Sequence, residues 1–520
     1  MRKKPRKPGG LAVCAPSHDS ARVSEPDPTP FPIDCVLRGD PQAPALVLKD
    51  RTLSFAEVET DVAELAGWLK AQVPEQGARI ASWAAKGWLT SLLPLAAPRA
   101  GLVHVPINPL LKRAQAAHIL ADSGARALIA TPARITSLES GDVPAECAVF
   151  AEGGDFAGDP LPPSSADTET LAAILYTSGS TGLPKGVMLS HANLSLGAVS
   201  VAHYLGMAAD DVTLAVLPFA FDYGQNQLFS TWFAGGRVVP LDYLLPRDVA
   251  RACARHGVTT LAAVPPLWWQ LVETDWPADA TASMRRLTNS GGALSVELVK
   301  RLRATFPAAR VFPMYGLTEA FRSTFLDPSL VDSHPTSMGR AIPIAEVLVA
   351  REDGSLAETG EEGELVHAGP LVSQGYWRDA ARTVERFRPA PAESRYGGTA
   401  VWSGDRVMRD ADGLLHFVAR RDAMIKSAGN RISPQEVEAA ALVSGLTNEA
   451  VALGIKDDRL GQAVELVVRG DAAGDAALKT ALAKALPGFM QPRRIRWRAA
   501  MPLGPNGKID RTALAQELGG

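Results

Sequence analysis

Thr177 to Gly186 reads Thr-Ser-Gly-Ser-Thr-Gly-Leu-Pro-Lys-Gly, so four hydroxyls, three glycines and one lysine fall within ten residues. Glycines let a backbone turn its N–H groups onto an anion, hydroxyls add donors, and the lysine adds positive charge. The chemistry this suits is phosphate binding. It is not the common P-loop, in which the lysine is followed by Ser or Thr opening a helix. Here Gly186 follows Lys185, and Val187-Met188-Leu189 reads as a strand.

With Gly-Ser-Thr-Gly-Leu-Pro-Lys-Gly intact, the stretch closely resembles the signature of the adenylate-forming enzymes: acyl-CoA synthetases, adenylation domains of peptide synthetases and luciferases. The resemblance implies that Thr177, Ser178, Gly179, Ser180, Thr181, Gly182 and Lys185 hold the phosphates of ATP. It extends from about Leu53 to Arg511 through five further stretches. Asn289-Ser290-Gly291-Gly292-Ala293 is a glycine turn at a strand end; by resemblance, Gly291, Gly292 and Ala293 lie against the adenine. In Tyr315-Gly316-Leu317-Thr318-Glu319, a ring can stack on a purine, a hydroxyl can reach the α-phosphate, and a carboxylate can hold Mg²⁺, which favours hard oxygen ligands. Family resemblance gives Tyr315, Thr318 and Glu319 those roles in that order.

Trp402-Ser403-Gly404-Asp405 offers Asp405, a two-oxygen acceptor suited to both ribose hydroxyls. The family more often has Thr at Ser403 and Tyr at Trp402, but the acceptor is kept. Arg420 resembles the family's ribose or phosphate contact, Asp422 its hinge, and Gly429 the small residue lining the thiol's tunnel; Ala419 replaces a usual glycine. Near the C-terminal end of the chain, Pro505-Asn506-Gly507-Lys508-Ile509-Asp510-Arg511 makes Lys508 the lysine expected to enter the site during adenylation.

Substrate choice is read from Phe221-Asp222-Tyr223-Gly224, where many acyl-CoA synthetases carry a histidine and this chain has none. The aspartate resembles that of amino-acid adenylation domains, which pairs with an α-ammonium. Family matching builds the acyl pocket from Asp222, Tyr223, Asn226, Ala263, Thr288, Ser290, Met314, Arg322 and Ser323. That lining is polar, and unpaired charges beside a hydrocarbon chain would cost several kcal/mol each. The expected substrate is a small polar acid, either amino-bearing and held by Asp222 or carrying a second carboxylate held by Arg322; the alternative is that these two residues simply pair. Phe221 to Gly224, with Tyr315 to Arg322, also resembles the stand-alone acyl-CoA ligases associated with bacterial exosortase systems.

The elements that must position these groups alternate. Thr52 to Phe55 is expected as a short strand leading through a Ser54 cap into a helix to Gln72, with Val58, Val62, Leu65 and Leu69 on one side. Strand and helix patterns then follow one another to Val264, which predicts doubly wound, mainly parallel sheets. From Gly363 the texture changes to short strands, with Ala411-Asp412-Gly413 as a hairpin turn. After Arg420-Arg421-Asp422 a smaller α+β unit begins. The expected fold is therefore α/β: a large N-terminal domain of doubly wound, mainly parallel sheets with a small β-barrel-like part, then a small mobile α+β domain. The expected divisions are a disordered tail at 1–30, the large domain at 31–419, a hinge at 420–422 and the small domain at 423–520.

At 520 residues, two or more domains are expected. A hydrophobic content of 46%, a charged content of 21% and a net charge of −3 give no reason to expect a nucleic-acid partner. Cys14, Cys35, Cys147 and Cys253 lie far apart, which fits a reduced cytoplasm. The basic opening Arg2 to Lys7 is followed by too short an apolar run for a signal peptide, and no window reaches the roughly 20 apolar residues of a membrane span.

The activity implied is an ATP- and Mg²⁺-dependent acid–thiol ligase. It would make an acyl-adenylate and pass the acyl group to CoA, or alternatively to the phosphopantetheine of a separate carrier protein. Arg493, Arg494, Arg496 and Arg498 could meet CoA phosphates or a carrier's acidic face, or form the solvated side of a strand. A luciferase-like oxygenase and a catalytically dead binding module are the rival readings.

Overall fold

The computed structural model describes residues 26–177, 184–420, 425–427, 430–457, 460–486, 488–505 and 507–519. The expected tail therefore falls almost wholly outside the described residues. So do Ser178, Gly179, Ser180, Thr181 and Gly182 of the glycine-rich loop, and Asp422 and Gly429.

The first helix, Phe55–Gln72, starts where its cap chemistry requires. The Ser54 hydroxyl accepts from the Glu57 amide and the Glu57 side chain accepts from the Ser54 amide, a reciprocal capping box. Val58, Val62, Leu65 and Leu69 are all buried, on the face that packs into the core. The chain then builds a six-stranded sheet in the order Ala148–Ala151, Ala125–Ala130, Arg79–Trp83, Val103–Pro106, Leu171–Thr177, Lys185–Ser190. Neighbours are parallel until the last pair, where Thr177 stands opposite Lys185 in an antiparallel ladder. Lys185 thus opens an antiparallel strand and not a helix.

A second sheet of fourteen strands has a parallel stretch, Arg237–Pro240, Val212–Ala215, Thr260–Ala263, Arg286–Asn289 and Arg310–Tyr315. It continues without a break into an antiparallel portion running from Thr324–Phe325 to Glu346–Ala350. Within that portion, Thr399–Arg409 and Leu415–Arg420 form the hairpin expected around Asp412-Gly413. The apolar faces of the two sheets need cover, and the helices His191–Leu205 and Asp222–Phe233 supply part of it. Nearly every residue of the former is buried, the pattern of a helix covered on all sides. Trp232, fully buried, donates its indole N–H to the Ala45 carbonyl at 2.9 Å, which fixes the second helix against the first strand of the chain.

The small unit after Arg420 has its own sheet, with Gly461–Arg469 paired to Ala450–Asp457 and Arg494–Arg498. Helices Pro434–Val443 and Asp475–Ala485 close its core of Ile432, Val437, Leu466, Leu478 and Leu482. The arginine strand is locally neutralised: Arg496 lies 2.8 Å and Arg494 3.4 Å from Glu465, Arg498 lies 2.8 Å from Glu517, and Arg493 pairs with Asp457. Among the described residues, no helix is long and apolar enough to cross a membrane, and Cys35, Cys147 and Cys253 are free.

Candidate active site

Residues far apart in sequence meet in one continuous set of contacts. Lys185, first in its strand, reaches across to Glu319, with Nζ 3.1 Å from Oε1. The Glu319 carboxylate is buried. Burial alone would raise its pKa, but the Lys185 charge and a hydrogen bond from Tyr376 hold it below the ordinary carboxylate value. Next to it, the Thr318 hydroxyl donates to Asp222 Oδ1 at 3.2 Å. Asp222 Oδ2 is 3.9 Å from Arg322 Nη2, and Arg322 Nη1 donates to the Ser290 hydroxyl at 2.9 Å.

Ser290 precedes Gly291, which adopts φ +80°. A Cβ there would collide with Lys508 Cε and stand 3.0 Å from its Nζ. Glycine adopts that backbone angle without strain. The Lys508 turn is itself held by Asn108, whose amide donates to the Pro505 carbonyl at 2.7 Å. A lysine from the small unit therefore stands at the end of a path that begins with Lys185, 134 positions before Glu319.

Tyr315 donates its hydroxyl to Asp405 Oδ2, so the stacking ring and the two-oxygen acceptor are neighbours. Asp405 faces Arg420 across the hairpin ladder. Ser403 supports this corner, accepting from the Asp405 amide at 3.1 Å while donating to the Leu365 carbonyl at 2.7 Å. Gly316 packs tightly on the Arg322 backbone, with room for no more than a hydrogen. Thr177 ends its strand with a buried hydroxyl that has no partner among the described residues. Asn289 ties the glycine turn by donating to the Gly292 carbonyl at 2.8 Å, and Ala293 beyond it is exposed.

The expected pocket residues divide. Tyr223, Asn226, Thr288, Met314 and Arg322 line one cavity of about 30 Å³ between the His191–Leu205 and Asp222–Phe233 helices and the large sheet. Its wall does not include Asp222, Ala263, Ser290 or Ser323. Asp222 and Ser290 stand beside it as partners of Arg322, and Ser323 is 2.9 Å from the His367 ring. Arg322 lies over the Tyr223 ring at 4.6 Å, whose hydroxyl is 2.8 Å from Thr288. Its aim is set by Phe321, a non-glycine residue at φ +60°, the kind of backbone strain that concentrates at sites where a side chain must be directed. Asn226 Nδ2, both side-chain polar atoms of Gln227, and Arg322 Nε are buried without partners among the described residues. Gln227 carries no signal in the sequence that would have marked it.

Two other residues escaped sequence reasoning. Asn108 belongs to no recognised pattern and is linked to the lysine turn only by a contact across 397 positions. Tyr376 donates to Glu319 Oε1 at 2.6 Å and accepts from Lys185 at 2.9 Å; nothing in Gly375-Tyr376-Trp377 announces that position.

A family model described as AMP-binding enzyme matches residues 35–377. The chain belongs to that family. Among its relatives, an L-proline--[L-prolyl-carrier protein] ligase of Pseudomonas fluorescens is 31% identical over 500 residues, covering 92% of this chain and 97% of the relative. A feruloyl-CoA synthase of an Amycolatopsis species is 30% identical, with 93% and 97% covered. Tyrocidine synthase 2 of Brevibacillus parabrevis is 29% identical over 92% of this chain, which spans only 13% of that protein. In fold, ATP-bound MatB of Rhodopseudomonas palustris superposes with a TM-score of 0.85 at 24% identity, covering 94% of this chain and 99% of the other. The AMP-binding family member described here is an adenylate-forming ligase of two-domain architecture, and its relatives include both CoA and carrier-protein ligases.

Proposed function

We propose that the chain activates a small polar carboxylic acid with ATP and passes the acyl group to the thiol of CoA. The observation that carries this is the unbroken path of contacts Lys185, Glu319, Thr318, Asp222, Arg322, Ser290, Gly291, Lys508. It links two lysines, a buried carboxylate and a hydroxyl, one of the lysines coming from the small unit.

The reaction brings two anions together. A carboxylate oxygen attacks the α-phosphorus of ATP, the bond to the β-phosphoryl oxygen breaks, and pyrophosphate leaves with that electron pair. The thiol sulfur then attacks the acyl carbon and AMP departs. Such transfers are catalysed chiefly by positioning and by neutralising charge. In this reading Lys508 would bridge the acid and the α-phosphate, Thr318 would donate to the same phosphate, and Lys185 would steady the departing pyrophosphate. Tyr315 and Asp405 would receive adenine and ribose. The ribose hydroxyls would replace the tyrosine hydroxyl as donors to Asp405. Glu319, a buried oxygen donor already tied down by a neighbouring hydroxyl, would hold a divalent magnesium ion, which would supply charge neutralisation on the phosphates.

The substrate class follows from the cavity beyond Arg322. Buried polar atoms without partners cost about 1–3 kcal/mol each. The orphaned atoms of Asn226, Gln227 and Arg322 are matched by a ligand that ends in hydrogen-bonding groups and would be left unmatched by a hydrocarbon. About 30 Å³ also admits one small group and no chain. A second reading, a stand-alone enzyme that loads an amino acid onto a separate carrier protein, is favoured by Asp222, a carboxylate 3.9 Å from the Arg322 guanidinium. Pyrophosphate release and thioester formation measured over a panel of acids, with CoA and with phosphopantetheinylated carrier as acceptors, test both. Short dicarboxylic or amino acids are expected to react. Preference for palmitate would overturn the substrate reading.

A further inference from the structure

Tyr376 lies outside every stretch to which the proposed function gives a role, yet its hydroxyl sits between the two charged groups of the nucleotide cleft. It donates to Glu319 Oε1 at 2.6 Å and accepts from Lys185 Nζ at 2.9 Å; the same ammonium is 3.1 Å from Oε1 and 4.2 Å from the centre of the Tyr376 ring. The ring is buried and held edge-on by Phe387 at 5.5 Å, and the Tyr376 amide donates to Thr383 Oγ1 at 3.0 Å. A phenol clamped in this way cannot follow the lysine.

We infer that Lys185 is a placeholder cation at Glu319, exchanged for a divalent metal when nucleotide binds, and that Tyr376 is the positioning residue that makes the exchange possible. The inference rests on the nucleotide reading given above. Glu319 is buried and paired with Lys185 Nζ at 3.1 Å, and a buried charge left alone is strongly destabilising. Without nucleotide, Lys185 supplies the counter-charge. With nucleotide, Lys185 is wanted at the phosphates, so another cation must take over at Glu319 as it leaves. Tyr376 spans both states: its donated hydrogen bond fixes Oε1, so the carboxylate keeps its place and its second oxygen stays available. On departure of Lys185, the phenol oxygen loses one donor while its own bond to Glu319 persists. The arrangement makes metal-free nucleotide a poor ligand, because taking Lys185 without delivering a cation strands Glu319.

The test is a double-mutant cycle read by calorimetric binding of a non-hydrolysable ATP analogue with and without Mg²⁺, each variant being checked by thermal melting. Glu319→Gln should bind the metal-free analogue about tenfold more tightly than wild type, the scale of one released charge-assisted contact. In a Lys185→Met background the same change should gain less than about twofold, since no lysine remains to be released. Equal gains in both backgrounds would mean that Glu319 merely repels the phosphates, and would overturn the exchange. Tyr376→Phe keeps the ring and should raise the Mg²⁺ concentration for half-maximal activity about fivefold while leaving the KM for the acid unmoved. An unchanged Mg²⁺ requirement would remove Tyr376 from the account. Wild type that binds no analogue under either condition would instead sink the nucleotide reading itself.

Discussion

Lys508 stands against Gly291, where an added Cβ would meet the lysine Cε. Its ammonium lies beside the Gly291 turn, where the acid and the α-phosphate are expected to meet. Replacing it tests the chemistry without touching the large unit. Lys508→Ala should lower adenylation by on the order of 10²–10³, the usual effect of losing one donor to developing charge. Thioester formation from a preformed acyl-adenylate should be spared, and rapid-quench measurement of each half-reaction separates the two. Wild-type adenylation in this variant would detach the lysine from the role that resemblance gives it. The residue scale is also where sequence reading ran out. Lys185, Glu319, Asp405 and Lys508 are marked by the short patterns around them. Tyr376, Asn108 and Gln227 take their meaning only from groups brought beside them by the fold, and no local pattern records such a meeting.

The helix Asp222–Phe233 is the element on which acid recognition hangs. Its first turn carries Asp222 and Tyr223, its second Asn226 and Gln227, and its far end is pinned by Trp232 to the Ala45 carbonyl. Gly224 lets the first turn approach the preceding loop so closely that a Cβ would collide with the Pro218 carbonyl oxygen. Gly224→Ala must push the helix start away. It should destabilise the protein by about 1–3 kcal/mol, as overpacking does. It should raise the KM for the acid several-fold more than that for ATP, because Tyr315 and Asp405 lie on other elements. Steady-state kinetics with each substrate varied, together with a thermal melt, check this. Elements like this one were legible from the sequence because a 3.6-residue apolar period and strand–helix alternation are local facts. What could not be read was that strand Arg310–Tyr315 passes directly into antiparallel partners, so that parallel and antiparallel portions form one sheet. That joining depends on pairing between strands distant along the chain, which no local periodicity encodes.

At the scale of the molecule, several contacts among the described residues bring the two units into register. Asn108 donates to the Pro505 carbonyl, Gly507 packs 3.4 Å from Val264 if given a Cβ, and Arg469 is 3.8 Å from Glu273. The small unit has its own core and its own sheet, so these contacts set its orientation more than its folding. Interfaces between the domains of one chain allow relative motion, and a thiol that follows an adenylate into the same cleft needs Lys508 out of the way. Asn108→Ala should therefore slow adenylation about fivefold, the worth of a hydrogen bond on the order of 1 kcal/mol. It should leave the melting temperature and the thioester half-reaction nearly unchanged. Equal losses in both half-reactions would argue against a contact specific to the adenylating arrangement. The division expected at 420–422 falls almost wholly outside the described residues; the way the small unit presents Lys508 to a turn more than two hundred residues earlier could not be read from the sequence, since it follows from docking and not from pattern.

The central claim is that these groups surround the α-phosphate of ATP while a carboxylate attacks it. Acid-dependent exchange of labelled pyrophosphate into ATP, in the presence of Mg²⁺ and without any thiol, reads that step alone. The account predicts exchange with short polar acids that disappears in Lys508→Ala. A folded wild-type preparation showing no exchange with any acid of a broad library would contradict it.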